Sequence, residues 1–486
     1  MKADKKNIRT MITETRTFFS ILLICSLCLF GCDDFVEEVE VVDPTAEESG
    51  EDFQPIQFVT GVYGRHTDFS YAFSFLGITE IISDNADKGS APTDTGADKD
   101  QLDGLTHTPS SISIRGMWTQ WYKTIGRASL AIEFTENFEE PIDENLRARL
   151  TGECKFLRAL NYFWLVRTFG DVPLQDVDIL TRAPVADVYA FIEQDLTEAI
   201  AALPEKSEYA PQDLGRATRG AAQALLAKAY LYQERWQDAA DMANTVINSG
   251  EYDLEPDYAT VWRAITENGV ESIFELQGRG EIIAHGIQQY SSTQGARGPD
   301  GFGWGFNTPS EDLLNAFEDE GDAIRRDATI IFRGETLFDG RVINEGVENP
   351  RYNEKAYSSL NQGQGDGDKN IRILRFAEIL LIRAEALNEL GQSGEALAPL
   401  NRVRSRVSLP DVTTTNQSEL RMAIWKERRL ELAMEHDRWY DLLRQGRAAE
   451  VMNALGFPFE VGKHELYPIP NDQLIQTPDL GQNPGW

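Results

Sequence analysis

The chain has 486 residues, a hydrophobic content of 41%, and 79 acidic against 46 basic residues, which gives a formal net charge of −33. A length beyond about 250–300 residues predicts either two domains or one helical scaffold with a second lobe built from insertions. The negative charge argues against nucleic acids and anionic membrane surfaces as partners.

The N-terminus predicts export and lipidation. Basic residues precede an apolar run at 18–30, which is shorter than the roughly 20 residues that span a bilayer and suits a signal peptide. The run ends in L-F-G-C, and a small residue before the cysteine is similar to the bacterial lipobox. We therefore predict a signal peptide over 1–31 and acylation of Cys32.

The residues after Cys32 predict an extended tether. Residues 33–52 contain ten acidic residues and no Lys or Arg, so that charge repulsion should keep them extended. Of the four cysteines, only Cys154 lies beyond this region, which excludes a disulfide framework and a cysteine-type metal site. We predict no cofactor.

Periodic apolar residues predict helices that are separated by long irregular stretches. The predicted helical stretches are 115–135, 145–168, 186–203, 218–249, 371–407 and 417–452. Gly, Asp, Ser and Thr dominate 62–112, and Gly-rich loops with short strand-like runs occupy 270–367. Irregular segments of this length are uncommon unless they are functional or disordered, so we interpret both as ligand-facing insertions.

A weak internal repeat predicts paired helices. The two copies match at every offset, with Ala227, Tyr230, Ala239, Ala243, Asn244 and Val246 in one and Ala384, Leu387, Ala396, Leu400, Asn401 and Val403 in the other. Helix, short turn, helix with small contact residues is typical of a tetratricopeptide (TPR) unit. Ala159 and Tyr162 begin a third candidate, whose second helix lies near 187–203. We predict a mostly α domain over 53–486, with TPR-like helices at about 115–250 and 371–452, long loop-rich insertions and a few short strands.

Five sets of motifs occur in order along the chain. They are E-C-K-F-L-R-A at 153–159 with F-G-D-V-P-L at 169–174, L-R-F-A-E at 374–378 with R-A-E-A-L-N at 383–388, E-R-R at 427–429 with E-H-D-R-W-Y-D-L-L-R at 435–444, Y-P-I-P at 467–470, and Q-N-P-G-W at 482–486. Together they resemble the SusD/RagB family of outer-membrane nutrient-binding lipoproteins. Phe169 and Trp486 depart from the Tyr that is more usual at both positions. The match extends from about residue 115 to the C-terminus.

The resemblance implies a surface-exposed lipoprotein that is anchored in outer-membrane lipid and presents a nutrient to a SusC-like TonB-dependent transporter. A glycan is the leading ligand class, and a peptide or other non-carbohydrate nutrient, as the RagB branch implies, is the alternative. A TPR adaptor and a glycoside hydrolase are two further hypotheses.

The charged residues of these segments predict buried ion pairs and not catalysis. Arg428, Leu432, Glu435, Trp439 and Leu442 follow helical spacing and would share one apolar face, where charges must be paired internally. The same interpretation covers Glu153, Arg158, Glu378 and Glu385. The five histidines form neither H-x-x-x-H nor a Ser–His elbow, so the sequence does not support an enzyme.

Aromatic residues beside polar residues in the insertions are the candidate ligand contacts, because sugars pack on rings and hydrogen-bond to polar groups. If 69–73 is extended, the rings of Phe69, Tyr71 and Phe73 alternate onto one side. Glycines around Phe302 and Trp304 would let these rings reach solvent, although packing is the alternative for Trp304. The predicted ligand residues are Tyr71, Phe73, Asp84, Asn85, Tyr290, Phe302 and Trp304.

The acidic loop of the first insertion offers a candidate Ca²⁺ site. Asp94, Asp98 and Asp100 supply oxygen ligands, but the loop lacks the twelve-residue EF-hand pattern with its closing Glu. A solvated acidic loop is the favoured interpretation.

Overall fold

The computed structural model describes residues 54–486, except for 92, 95, 176–177, 279–285 and 360–368. The predicted signal peptide, Cys32 and the acidic tether lie outside these residues. Within the described part of the chain, no helix is both long and apolar enough to cross a membrane. Pro55–Trp486 form one compact unit.

The secondary structure is mostly helical, as predicted. The helices are α1 Pro55–Tyr63, α2 Phe69–Leu76, α3 Ala97–Asp103, α4 Ile112–Glu136, α5 Glu144–Phe169, α6 Val185–Ala202, α7 Arg219–Tyr232, α8 Trp236–Asn248, α9 Tyr290–Gln294, α10 Glu311–Glu320, α11 Ala323–Thr329, α12 Phe376–Glu389, α13 Ser393–Arg406, α14 Gln417–Glu431, α15 Arg438–Arg444, α16 Ala448–Ala454 and α17 Asn471–Gln476. The strands are β1 Ala86–Gly89, β2 Val172–Leu174, β3 Asp178–Ala183, β4 Ser272–Leu276, β5 Phe306–Pro309, β6 Ile330–Phe332, β7 Arg351–Asn353 and β8 Ile371–Arg375.

The predicted helix pairs are confirmed. Helices α7 and α8 pack together, as do α12 and α13, and α8 also packs on α12, so the two copies of the repeat are neighbours. Ala227 and Ala239 of one copy and Ala384 and Ala396 of the other are fully buried, because small side chains let the helices approach closely. The third pair, α5 with α6, is interrupted by the β2–β3 hairpin.

Two helical predictions near the C-terminus are wrong in detail. Residues 371–375 form strand β8, which pairs with β4, and helix begins only at Phe376. The stretch 417–452 forms three helices, α14, α15 and α16. The chain turns through positive φ at Met434 and His436, which separates α14 from α15. Arg428 and Trp439 therefore lie on different helices and do not share one helical face.

The first insertion is more ordered than its composition predicts. It contains α2, a π-helical turn at Gly77–Ile81, β1 and α3. Strand β1 pairs in antiparallel register with β5 of the second insertion, and Asp87 lies opposite Thr308 and Gly89 opposite Phe306. This strand pair joins the two insertions and positions the candidate site.

Buried ion pairs connect the insertions to the helices. Glu431 of α14 accepts from Arg325 of α11 at 3.0 Å, from Arg375 of β8 at 2.6 Å, and from Arg406 of α13. Burial by itself would raise the pKa of Glu431, but the charges of Arg406, Arg375 and Arg325 hold that pKa well below its usual range. One carboxylate therefore joins three elements.

Each charged residue that the sequence predicts to be in a buried ion pair has an oppositely charged partner in the structure. The pairs are Arg158–Asp195 at 2.8 Å, Glu153–Arg216 at 2.9 Å, Glu378–Lys228 at 2.9 Å, Glu385–Arg444 at 2.6 Å, Arg428–Asp441 at 3.1 Å, and Glu435–Lys355 at 2.6 Å. These charges are satisfied within the protein, which confirms their structural interpretation.

Replacing Glu431 with Gln should lower the free energy of unfolding by about 3–5 kcal/mol, because three buried guanidinium groups lose their shared counter-charge. The matched control is Glu198→Gln, which removes the carboxylate of a pair with Lys155 whose Glu side chain is 42% exposed. That change should cost less than about 1 kcal/mol. Urea denaturation of both variants measures the difference, and equal losses would contradict the organising role of Glu431.

Candidate functional site

Aromatic rings from both insertions meet at one end of the β1–β5 pair. Phe69 and Phe73 stack with ring centroids 5.6 Å apart and an interplanar angle of 14°. Trp304 lies edge-on to Phe69 at 6.2 Å, and Phe306 packs edge-on to Phe73 at 5.1 Å. Phe69 is 38% exposed, and Phe73 and Trp304 are half-buried. We call these four residues the aromatic cluster.

Helix α2 determines which rings reach this cluster. Asp68 caps the helix by accepting a hydrogen bond from the backbone N–H of Ser70 at 2.8 Å. The segment is therefore helical, whereas the sequence predicts that it is extended. Residues four apart share a helical face, which places Phe69 and Phe73 together. Tyr71 points to the opposite side, where it is fully buried against Trp164.

A cleft of about 300 Å³ opens beside the aromatic cluster, between Asp94, Arg297, Gly303, Trp304 and Phe306. The Arg297 Nη1 donates to Ser90 Oγ at 2.6 Å and to the Asp94 carboxylate, and Ser90 Oγ donates to Asp94 Oδ2 at 2.6 Å. The Arg297 side chain remains 36% exposed. The cleft therefore offers ring faces next to one cationic and one anionic group.

The backbone around Trp304 is held in one arrangement. The Trp304 N–H donates to the carbonyl of Ser292 at 2.7 Å. A Cβ at position 303 would lie 2.4 Å from that carbonyl oxygen, so only glycine fits there. Gly305 has φ +78°, a conformation that other residues adopt only at a cost. The backbone that carries the indole is therefore held in place before a ligand arrives, which reduces the entropy that binding loses.

Two non-glycine residues at the strand pair have positive φ, Ser90 at 60° and Asn307 at 55°. Such conformations persist only where the surroundings hold them, and they are concentrated at functional sites. Ser90 is held by Asp94 and Arg297, and the Asn307 Nδ2 donates to Gln294 Oε1 at 2.8 Å. The strain lies beside the cleft.

Four other predicted ligand residues lie in the interior, as Tyr71 does. Arg438 pairs with Asp84 through two hydrogen bonds of 2.7 and 2.6 Å. Tyr290 is buried with its hydroxyl 3.2 Å from a nitrogen of His436, and Phe302 belongs to a buried apolar cluster. Asn85 is also fully buried. The expectation that these side chains face a ligand is corrected, because ion pairing and packing occupy them.

The candidate Ca²⁺ ligands do not converge. Asp94 pairs with Arg297, Asp98 pairs with Lys99, and Asp100 pairs with Lys88 at 2.8 Å. Within the described ranges, no group of three or more His, Cys, Asp or Glu side chains could hold a metal ion. Asp94 instead lines the cleft beside the aromatic cluster.

Three residues of the site, Arg297, Phe306 and Phe69, are not among the ligand residues that the sequence predicts. Arg297 and Phe306 are separated along the chain from the residues they contact, so no local pattern identifies them. For Phe69, the sequence predicts only that it is one of three rings on an extended segment. Its position four residues before Phe73, after a capping Asp, is the signal that predicts its place in the cluster.

Comparisons with known proteins identify the family. The family models described as "SusD family" and "Starch-binding associating with outer membrane" match residues 334–486 and 79–231. SusD-like protein P2 of Formosa agariphila is 30% identical over 508 residues, which cover 96% of this chain and 98% of that protein. The chain belongs to the SusD family.

Solved structures of SusD-like proteins share this fold. A laminarin-binding SusD-like protein has a TM-score of 0.75 at 30% identity, with 89% of this chain and 99% of that chain covered. Surface glycan-binding protein A of Bacteroides thetaiotaomicron, in complex with laminarihexaose, has a TM-score of 0.76 at 22% identity, with 88% and 98% covered. Starch-binding protein SusD of the same organism is 24% identical over 79% of this chain and 81% of that protein.

In this SusD-family protein, buried polar residues connect the two insertions to the turn between α14 and α15. The His436 ring bonds to Thr79 Oγ1 at 2.9 Å and to Tyr290, while its backbone N–H donates to Glu80. Burial raises the pKa of Glu80 to about 8, so its carboxyl is protonated at neutral pH. Thr79, Glu80 and Tyr290 come from the two insertions, and His436 comes from the scaffold.

The Glu80→Gln variant should flatten the pH dependence of stability. Because the folded-state pKa of about 8 lies above the ordinary value of 4.5, the contribution of Glu80 is fully present below pH 4.5 and is lost as the pH rises through 8. The unaltered protein should therefore lose stability over this window by up to about 1.4 kcal/mol per pH unit more than the variant.

Urea denaturation at pH 5, 6.5 and 8 measures this difference. Glu450→Gln is the control, because Glu450 is exposed on α16 and its replacement should leave the slope unchanged. A Glu80→Gln variant with the slope of the unaltered protein would show that Glu80 is ionised in the folded state.

Proposed function

We propose that this chain is a cell-surface lipoprotein that binds an oligo- or polysaccharide and delivers it to a SusC-like TonB-dependent outer-membrane transporter. The observation that carries the proposal is the aromatic cluster beside the Arg297–Asp94 pair. Sugars pack C–H faces on aromatic rings, and their hydroxyl groups bond to carboxylates and guanidinium groups. Such a site holds a ligand without changing it, so we propose a binding protein and not an enzyme.

The names of the relatives support this ligand class. One similar structure is named for laminarin, another contains laminarihexaose, and a more distant relative is named for starch. Laminarin and starch are therefore the first probes for this chain. A peptide or other non-carbohydrate nutrient on the same scaffold is the alternative, and the same binding experiment distinguishes it.

Replacing Trp304 with Ala should weaken polysaccharide binding by about tenfold or more, because the ligand loses a positioned ring worth at least about 1.4 kcal/mol. Affinity electrophoresis of residues 54–486 in gels that contain laminarin or starch measures the loss. Phe69→Ala should act in the same direction. The matched control is Trp236→Ala, which removes a half-buried Trp at the start of α8 and should leave retardation unchanged.

Each outcome has one interpretation. Retardation of the unaltered protein that Trp304→Ala abolishes and Trp236→Ala preserves supports glycan binding at the aromatic cluster. Retardation by no polysaccharide, together with tight peptide binding, would overturn the glycan proposal in favour of the alternative. Release of reducing ends by the purified protein would instead identify a glycoside hydrolase.

The lipoprotein part of the proposal depends on Cys32. The cysteine follows an apolar run and precedes an acidic segment, as described for the sequence. We expect Cys32→Ala to abolish incorporation of radiolabelled palmitate and to release the chain from the outer-membrane fraction. The control is Cys154→Ala, since that thiol is fully buried and should not be acylated. Persistent labelling of the Cys32→Ala variant would contradict acylation at this position.

A further inference from the structure

A second cleft, of about 290 Å³, lies along the same strand pair as the aromatic cluster. Its lining includes five charged side chains and no aromatic ring, whereas the rings of Trp304 and Phe306 line the first cleft. The residues of its lining that matter here are Asp87, Lys88, Asp100, Asp103, Asn349 and Arg351. Neither the aromatic cluster nor the ion pairs that hold the insertions require this space.

The two clefts are neighbours along β5 and on either side of Ser90. Phe306 lines the first cleft and Thr308 lines the second, and residues two apart on a strand point to the same face. The rise of a strand is about 3.3 Å per residue, so these side chains are about 7 Å apart. Ser90 also lines the second cleft, and its hydroxyl bonds to both Asp94 and Arg297 of the first.

The second cleft carries both donors and acceptors. The Lys88 ammonium lies 2.8 Å from Asp100, with side chains 7% and 56% exposed respectively. The Arg351 guanidinium donates to Glu311 at 2.5 Å and to the carbonyl of Pro309 at 2.9 Å. Burial, together with the neighbouring carboxylates of Asp87 and Asp100, raises the pKa of Asp103 to about 7. A carboxyl with that pKa both donates and accepts hydrogen bonds near neutral pH.

We propose that the second cleft is a sugar subsite that extends the aromatic one, so that the site binds an uncharged oligosaccharide across both clefts. The inference rests on the proposed glycan-binding function and specifies its ligand. Hydroxyl groups, which donate and accept, match the mixed lining of the cleft. Sulfated or uronate units do not, because three carboxyl groups but two cationic side chains line the cleft, and both cations already pair with carboxylates.

The length of the ligand tests the inference. The probes are laminari- or malto-oligosaccharides of two to six units, taken from whichever polysaccharide retards the unaltered protein, and affinity is measured by calorimetry. A hexasaccharide reaches both clefts, so it should bind at least tenfold more tightly than a disaccharide. Trp304→Ala should weaken binding of both.

Variants in the second cleft should affect only the long ligands. Lys88→Gln and Asp100→Asn should each weaken hexasaccharide binding by about fivefold to tenfold and leave disaccharide binding unchanged. Asp100 is more than half exposed, and the amide oxygen of Asn can still accept a hydrogen bond from the Lys88 ammonium, so Asp100→Asn should disturb the fold less than Lys88→Gln. Asp238→Asn, in an exposed pair on α8, is the control that should change neither affinity.

The failures are distinguishable. Binding that is independent of length, or hexasaccharide binding that both variants leave unchanged, would overturn the second subsite while the proposed function stands. Tight binding of a sulfated hexasaccharide would overturn the restriction to uncharged ligands. No binding of any polysaccharide by the unaltered protein would overturn the proposed function and this inference with it.

Discussion

Buried charges that require partners determine how the insertions lie on the helix pairs. Glu431 pairs with Arg325 of the second insertion, and Arg438 pairs with Asp84 of the first. A buried charge that loses its partner costs several kcal/mol, so the arrangement in which these pairs form is strongly favoured over the alternatives. Apolar packing explains why the helices associate, and the ion pairs explain why the loops between them have defined positions.

The strand pair that carries the site depends on the same segment. Arg429 donates to Asn85 Oδ1 at 2.9 Å, immediately before β1, and to Asp312 at 2.5 Å, shortly after β5. One arginine of the scaffold therefore contacts both strands at the same end of the pair, where Ala86 lies opposite Pro309. The sequence predicts Asp84 and Asn85 as ligand contacts, but in the structure both are buried and bond to Arg438 and Arg429 of the scaffold.

The sequence predicted the scaffold better than the site, for physical reasons. Helix pairs depend on local periodicity and on small residues at fixed offsets, as at Ala227 and Ala384, and both are visible in the chain. Whether a ring is exposed depends on distant neighbours: Tyr290 is buried next to His436, 146 residues away in the chain, whereas Trp304 is half-buried. Alternation at 69–73 suggested a strand, and the capping Asp68 made it a helix. The cluster could be predicted in part, since Phe73 and Trp304 both belong to it.

The pairing of β1 with β5 has a consequence for the order of folding. The two strands are more than two hundred residues apart in the chain, and closing so long a loop is slow and occurs late compared with local helix formation. The helix pairs have mostly local contacts and need not wait for it. A partly folded chain can therefore have its helix pairs formed and still have no ligand platform, because half of the rings are supplied by each side of that closure. The protein can therefore bind its ligand only after the entire chain has reached its native state.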